Sequence, residues 1–211
     1  MENLRNLRVG TGLDKVEPQV AKTDEEWMLR LQAGDDHAFD HLLGKYRAPV
    51  VHFVYRLVRE PALAEELAQE VFLRVFRARR SYRPRAKFTT WLFRIATNVA
   101  LNALRDGRMR RWGETSIDAE DTGPQVAQLS APGPSAEQRL LEAERARQIR
   151  AAVESLPEKQ RLAVLLHKYQ DLDYAEIAPI LGCSESALKS LLFRAYEALR
   201  VKLRPLAGAQ P

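Results

Sequence analysis

The sequence predicts an all-α protein made of two small helical domains joined by a flexible linker. Three observations predict it. Apolar residues recur at spacings of three and four, and no stretch shows the alternation of a half-buried strand. Between residues 106 and 136 that period stops, and Gly107, Gly113, Gly123, Gly133, Pro124, Pro132 and Pro134 gather with several acids. The 211 residues allow one large domain or two small ones, and 45% hydrophobic content suffices for a core.

The elements follow in order. Residues 1–22 show no clear apolar period and read as a mobile tail. Thr23 and Asp24 offer caps to a helix over "EEWMLRLQAGDD", with Gly34 as its stop signal. A second helix is expected from about Asp36 to Arg59, with Pro49 as a bending point. Pro61 opens a third, "PALAEELAQEVFLRVFRARR". After the loop "SYRPRAK", a fourth spans about Thr89 to Arg105 and closes a first domain of residues 23–105. Beyond the linker of 106–136, a second domain covers 137–206, and 207–211 are a short tail. Its helical pattern resumes at "SAEQRLLEAERARQIRAAVESL", restarts at Pro157, and ends in two helices over about 174–181 and 185–203, joined by "LGCS".

That last pair has helix-turn-helix character. Asp173 can cap the first helix, with Glu176 completing a capping box. Gly182 permits a left-handed turn, and Ser184 can cap the next helix. Leu188, Leu191, Leu192, Ala195 and Leu199 recur on one side of it, leaving Lys189, Ser190, Phe193 and Arg194 toward the other. A helix so presented fits a DNA major groove. On these residues alone, a helical hairpin with solvated cations is an equal reading.

Net charge is +5 and the pI about 9.5, which favours an anionic partner. The charge is unevenly placed. Val71 to Arg105 contains no acid but holds Arg74, Arg77, Arg79, Arg80, Arg83, Arg85, Lys87, Arg94 and Arg105. On a helical wheel over 91–105, Leu92, Ile95, Ala96, Val99 and Ala103 form an apolar face. Trp91, Arg94, Asn98, Asn102 and Arg105 form the opposite stripe. Cations meet phosphates, amides read base edges, and rings stack on unpaired bases. The stripe therefore suits single-stranded nucleic acid or a duplex being opened. The alternative is that Phe88 and Trp91 are core residues. On the preceding helix, Glu66, Gln69, Glu70 and Leu73 share a side. An acidic patch beside so basic a stretch suggests a protein partner with a basic surface.

Other classes find less support. The single cysteine, Cys183, excludes an internal disulfide and suits a reducing cytoplasm. No run approaches the ~18 apolar residues of a membrane helix, and the start lacks a signal-peptide core. The reading is a soluble, cytoplasmic protein. No phosphate-binding loop, nucleophile elbow or cysteine-rich metal set is present. His37 and His41 lie at i,i+4 without a third ligand. No enzyme, cofactor or metal is expected.

Taken together, the chain resembles a bacterial sigma factor of the extracytoplasmic function (ECF) group over roughly residues 24–204. "LRLQAGDDHAFDHLLGKYR" resembles the first helices of the sigma-2 domain. "AEELAQEVFLRVFR" is similar to the segment that binds the β′ clamp helices of RNA polymerase, which implies that role for Glu65, Glu66, Gln69 and Glu70. "FTTWLFRIATNVALNALR" looks like the minus-ten recognition helix. The resemblance places Arg83, Lys87, Phe88, Trp91, Arg94, Asn98 and Asn102 there, with Asn98 and Asn102 near a flipped base. "SLPEKQRLAVLLHKYQDLDYAEIAPILG" and "ALKSLLFRAYEALR" resemble the sigma-4 domain, implying minus-thirty-five contacts from Ser184, Lys189, Ser190, Phe193 and Arg194. Leu191 and Tyr196 depart from the family, standing where basic residues are common.

The resemblance implies core RNA polymerase (β′ and β), promoter DNA and an anti-sigma factor as partners. The linker's acids resemble a segment that passes near the polymerase active site. Thirty-one residues reach ~100 Å at most, enough to join promoter elements two or more turns apart at ~34–36 Å per turn. The runner-up is a helix-turn-helix regulator that never joins polymerase.

Overall fold

The computed structural model describes residues 23–107 and 136–207. Among these are eight α-helices, one 3-10 turn and no strand. The N-terminal tail and nearly all of the linker lie outside the described residues.

α1 (Asp24–Gln32) starts from a complete capping box. Thr23 Oγ1 accepts from Glu26 N at 3.2 Å, and Glu26 Oε2 accepts from Thr23 N at 2.9 Å. Three acids in the first turn suit the positive end of the helix. α2 (Asp36–Val58) continues across Pro49 as one helix. It ends at Arg59, whose backbone is left-handed with φ 60 and whose N–H donates to Tyr55 O. Pro61 then opens α3 (Pro61–Ala78), where its missing N–H costs nothing. A 3-10 turn (Arg79–Ser81) and a loop lead to α4 (Phe88–Arg105), which begins one residue before the expected start.

The four helices bury one side each. Leu63, Leu67, Val71 and Val75 of α3 and Leu92, Ala96, Val99 and Ala103 of α4 face Val50, Phe53, Val54 and Leu57 of α2. Phe53 and Phe93 meet edge-on, with centroids 5.4 Å apart. Each of the buried Val, Leu and Phe side chains contributes about 1.5–3 kcal/mol by leaving water, and the alanines less.

The second unit comprises α5 (Ala136–Glu154), α6 (Glu158–Tyr169), α7 (Tyr174–Leu181) and α8 (Glu185–Ala207). The capping box of α7 is complete: Asp173 Oδ1 accepts from Glu176 N, and Glu176 Oε2 accepts from Asp173 N, both at 2.9 Å. Gly182 ends α7 at φ 62, a conformation that disfavours any side chain even though space is open there. Ser184 Oγ accepts from Ala187 N at 3.2 Å and starts α8. Leu188, Leu192, Ala195 and Leu199 pack inward as expected, but Leu191 is only half-buried. α8 runs on to Ala207, past the expected 203, and carries Pro205 near its end.

The two units touch along a seam. α4 packs against α7, and α2 approaches α6. Arg59 Nε lies 2.6 Å from Glu154 Oε1, an ion pair whose angles fall outside those of a hydrogen bond. The Arg56 guanidinium sits 4.1 Å above the Tyr169 ring.

Candidate nucleic-acid and protein interfaces

Three surfaces gather the residues singled out in the sequence. The first is the outer side of α4. Arg94, Asn98, Asn102 and Arg105 are all exposed along it, while Leu92, Phe93, Ala96, Val99, Ala100 and Ala103 are buried behind. α4 thus presents amides and guanidinium groups from a rigid backing. Thr97 belongs to the same region but is buried, and its hydroxyl has no hydrogen-bond partner.

Phe88 requires a correction. Its ring is fully buried, 5.4 Å from Tyr46 and 5.9 Å from Trp91, so it cannot stack on a base. As the first residue of α4 it turns toward α1 and α2, and its N–H donates to Glu25 Oε1. It is a support for the surface, not part of it. Trp91 is half-buried, edge-on to Tyr82 with centroids 5.0 Å apart. Burial, with the Glu25 and Asp24 charges, pushes the Tyr82 hydroxyl up to about 12. Arg83 and Lys87 lie in the exposed loop before α4. Arg83 donates to Tyr82 O, and Lys87 Nζ lies 3.4 Å from Glu176 Oε1 and 3.8 Å from Asp173 Oδ2 of the second unit.

The second surface lies between α2 and α3. Glu65 pairs with Arg47 at 3.1 Å, and Glu70 pairs with Arg74 one turn along. Glu66 and Gln69 are exposed. Beside these residues runs an apolar groove of about 300 Å³, lined by Phe39, Leu43, Ala68, Phe72 and Leu73 among others. Leu73 is 52% exposed. Sequence reasoning found the acids but not the groove. The available signal was Leu73, an apolar residue among Glu66, Gln69 and Glu70 on a solvent-facing side.

The third surface is the outer side of α8. Lys189, Ser190 and Arg194 are exposed, and Phe193 is 68% exposed. Ser190 donates to Ser186 O, while the Ser184 hydroxyl is engaged as a cap. Tyr196, one of the departures from the family pattern, turns inward. Its hydroxyl is 2.8 Å from His167 Nδ1, and burial raises its pKa. It is therefore a tie between α6 and α8.

No group of three or more His, Cys, Asp or Glu among the described residues is placed to hold a metal ion. His41 stacks on Trp27 with centroids 4.2 Å apart, and His37 lies 3.9 Å from Asp40.

Residues 42–121 match Sigma-70 region 2, and residues 146–199 match Sigma-70, region 4. The RNA polymerase sigma-H factor of Pseudomonas aeruginosa is 33% identical over 188 residues, spanning 87% of this chain and 95% of that protein. The ECF RNA polymerase sigma-E factor of Escherichia coli is 36% identical over 189 residues, spanning 87% and 96%. The chain belongs to the sigma-70 family, in its ECF group.

This sigma factor binds core RNA polymerase and directs promoter recognition and transcription initiation. The reading as a regulator that never joins polymerase is set aside. Its fold is shared with CnrH, solved in complex with the cytosolic domain of CnrY: TM-score 0.64, 18% identity, covering 87% of this chain and 99% of that one. It is shared too with RpoE of Bartonella quintana, solved in complex with the anti-sigma factor NepR: TM-score 0.58, 23% identity, covering 79% and 96%. Among the described residues no helix is long and apolar enough to cross a membrane.

Proposed function

We propose that the sigma factor divides its work over the three surfaces. One observation carries the reading: α4 and α8 turn cations and hydrogen-bonding groups outward from buried aliphatics, whereas on α3 Glu65 and Gln69 line an apolar groove. Residues 23–105 act as the sigma-2 unit, 106–136 as the linker and 137–206 as the sigma-4 unit.

Glu65, Glu66, Gln69 and Glu70 hold the β′ clamp helices, with the groove beside Leu73 receiving an apolar side chain from polymerase. Burial of an apolar anchor inside a polar rim is the common anatomy of such contacts. Arg83, Lys87, Arg94 and Arg105 hold backbone phosphates of the minus-ten strand. Asn98 and Asn102 read an extruded base by its edge, and the exposed part of Trp91 stacks on it. α8 enters the major groove of the minus-thirty-five element with Lys189, Ser190, Phe193 and Arg194. Ser184 contributes through the cap that sets the start of α8. The chain catalyses nothing itself: binding free energy, its own and that of polymerase, drives opening. It works in the cytoplasm, with an anti-sigma factor as a further partner, as NepR is for RpoE of Bartonella quintana.

The test uses the reconstituted holoenzyme. Glu66→Lys with Glu70→Lys should weaken association with core polymerase at least roughly tenfold. Asn98→Ala should leave association intact and reduce promoter opening, read by permanganate reactivity of unpaired thymines. Unchanged association in the first variant, with unchanged opening in the second, would sink the assignment.

A further inference from the structure

Resting on the reading of α4 as the minus-ten helix, we propose that Gln32 is a positioning residue for promoter reading. From the end of α1 it ties down the entry of the basic loop before α4, and with Glu25 at the exit it sets where the extruded base lands.

The loop itself is thinly held. Residues 83–87 are all exposed and include Arg83, Arg85 and Lys87. Within it Arg85 N donates to Arg83 O at 2.8 Å. The flanking rings of Tyr82 and Phe88 are buried and act as two posts. Gln32 reaches the first post across 50 residues of sequence. Its Nε2 donates to Arg80 O at 2.9 Å and to Tyr82 O at 3.3 Å. A glutamine amide has two N–H groups, one for each carbonyl. Tyr82 O also accepts from Arg83 Nη1 at 2.8 Å, so the tie bears on a residue assigned to a phosphate. At the second post Lys87 supplies no side-chain cap to α4, and Glu25 Oε1 accepts from Phe88 N instead.

Glu25 and Gln32 stand about two turns apart on α1. They therefore leave it on one side, roughly 10 Å apart along its axis. α1 makes a firm brace. Met28 and Leu31 are fully buried, and the Asp24 carboxylate accepts from the Tyr46 hydroxyl at 2.6 Å and from Lys45 Nζ at 2.7 Å.

The tie matters for reading more than for holding. Arg83 and Lys87 grip phosphates, Asn98 meets the base, and one strand joins them. Coulomb attraction to a phosphate falls slowly with distance and tolerates a loop displaced by about an ångström. Hydrogen bonds to a base edge are narrow in length and angle. Recognition sites need their groups held within roughly 0.5 Å by supporting residues. A loosened loop should keep much of its affinity for the strand and lose discrimination between bases.

The experiment uses the reconstituted holoenzyme, well below the melting midpoint of each protein. Gln32→Met keeps the length of the side chain and removes its donors. Gln32→Lys returns N–H groups to the two carbonyls. Opening is read by permanganate reactivity on promoters varied one base at a time through the minus-ten element. The quantity followed is the ratio of opening on the best promoter to opening on the poorest. Gln32→Met should shrink that ratio roughly three- to tenfold, the range of one net hydrogen bond or two, with core association unchanged. Gln32→Lys should recover most of the loss. A ratio that stays at the wild-type value, even if opening falls equally on every promoter, overturns the role of Gln32. So does a lysine variant no better than the methionine one. Asn98→Ala in the same assay separates the two claims. If it lowers opening while Gln32→Met leaves the ratio alone, the tie fails and the minus-ten reading stands. If it changes nothing, the reading itself fails.

Discussion

α4 and α8 are both helices that turn cations away from a buried aliphatic face, yet they differ in what surrounds them. α8 stands open, with Phe193 68% exposed and Lys189 and Arg194 in solvent. α4 faces a neighbour: its start is held by Glu176, and its stripe walls a cleft. The proposed roles, duplex reading by α8 and strand reading by α4, would call for such a difference. A helix that enters an intact major groove needs little besides exposure. One that holds an extruded base needs a rigid aromatic platform beneath it, and α4 has one in Phe88, Tyr46, Tyr82 and Trp91.

The largest expected effect breaks that platform. Phe88→Ala should cost about 3–5 kcal/mol of stability in chemical denaturation and abolish minus-ten opening. Upstream duplex binding by the sigma-4 unit should survive. A variant of normal stability with reduced opening would instead mean that the ring does reach DNA.

Next is the open helix. Lys189→Ala with Arg194→Ala should weaken upstream binding on the order of tenfold. If both residues meet phosphates, the slope of log affinity against log salt should fall by about 2, near one for each contact. A loss confined to one base pair of the element would assign base reading instead.

Smaller again, Asp173→Ala removes one arm of the capping box that starts α7, within the second unit, and should cost about 1 kcal/mol. Thermal melting would register it. The Asp173→Asn variant, which can still cap, should lose less.

The smallest effect concerns pH. His52 lies in the seam, where burial and then the Arg56 charge hold its pKa below the usual value, against a weaker pull from Glu65. The folded chain thus binds fewer protons than the unfolded one. Stability is fully present above the ordinary histidine range, near 6.5, and declines as pH falls below it toward the lowered value. His52→Asn should flatten melting midpoints between pH 7 and 5.

Much of this fold was legible because its signals are local. Thr23, Asp173, Gly182 and Ser184 marked helix ends by capping chemistry, and each acts at its expected place. The exposed stripe of α4 followed from helical period alone. Phe88 was misplaced because the family resemblance carries a role over by position and does not say which way a first-turn residue points; its alternative, a core residue, is what the buried ring shows. The groove beside Leu73 and the contact of Glu176 with Lys87 are tertiary: each needs two helices whose relation no local pattern encodes. Glu176 was read as half of a capping box, and its second oxygen faces a helix some 86 residues earlier in the chain.

The end of α2 has a consequence of its own. Arg59 occupies a backbone conformation that favours glycine, at a cost of about 1–2 kcal/mol for a residue bearing Cβ. Glycine there would ease local torsion and raise the melting point of the isolated sigma-2 unit. It would also delete the guanidinium that meets Glu154. A single codon thus sets the torsional ease of the end of α2 against the ion pair that ties it to α5.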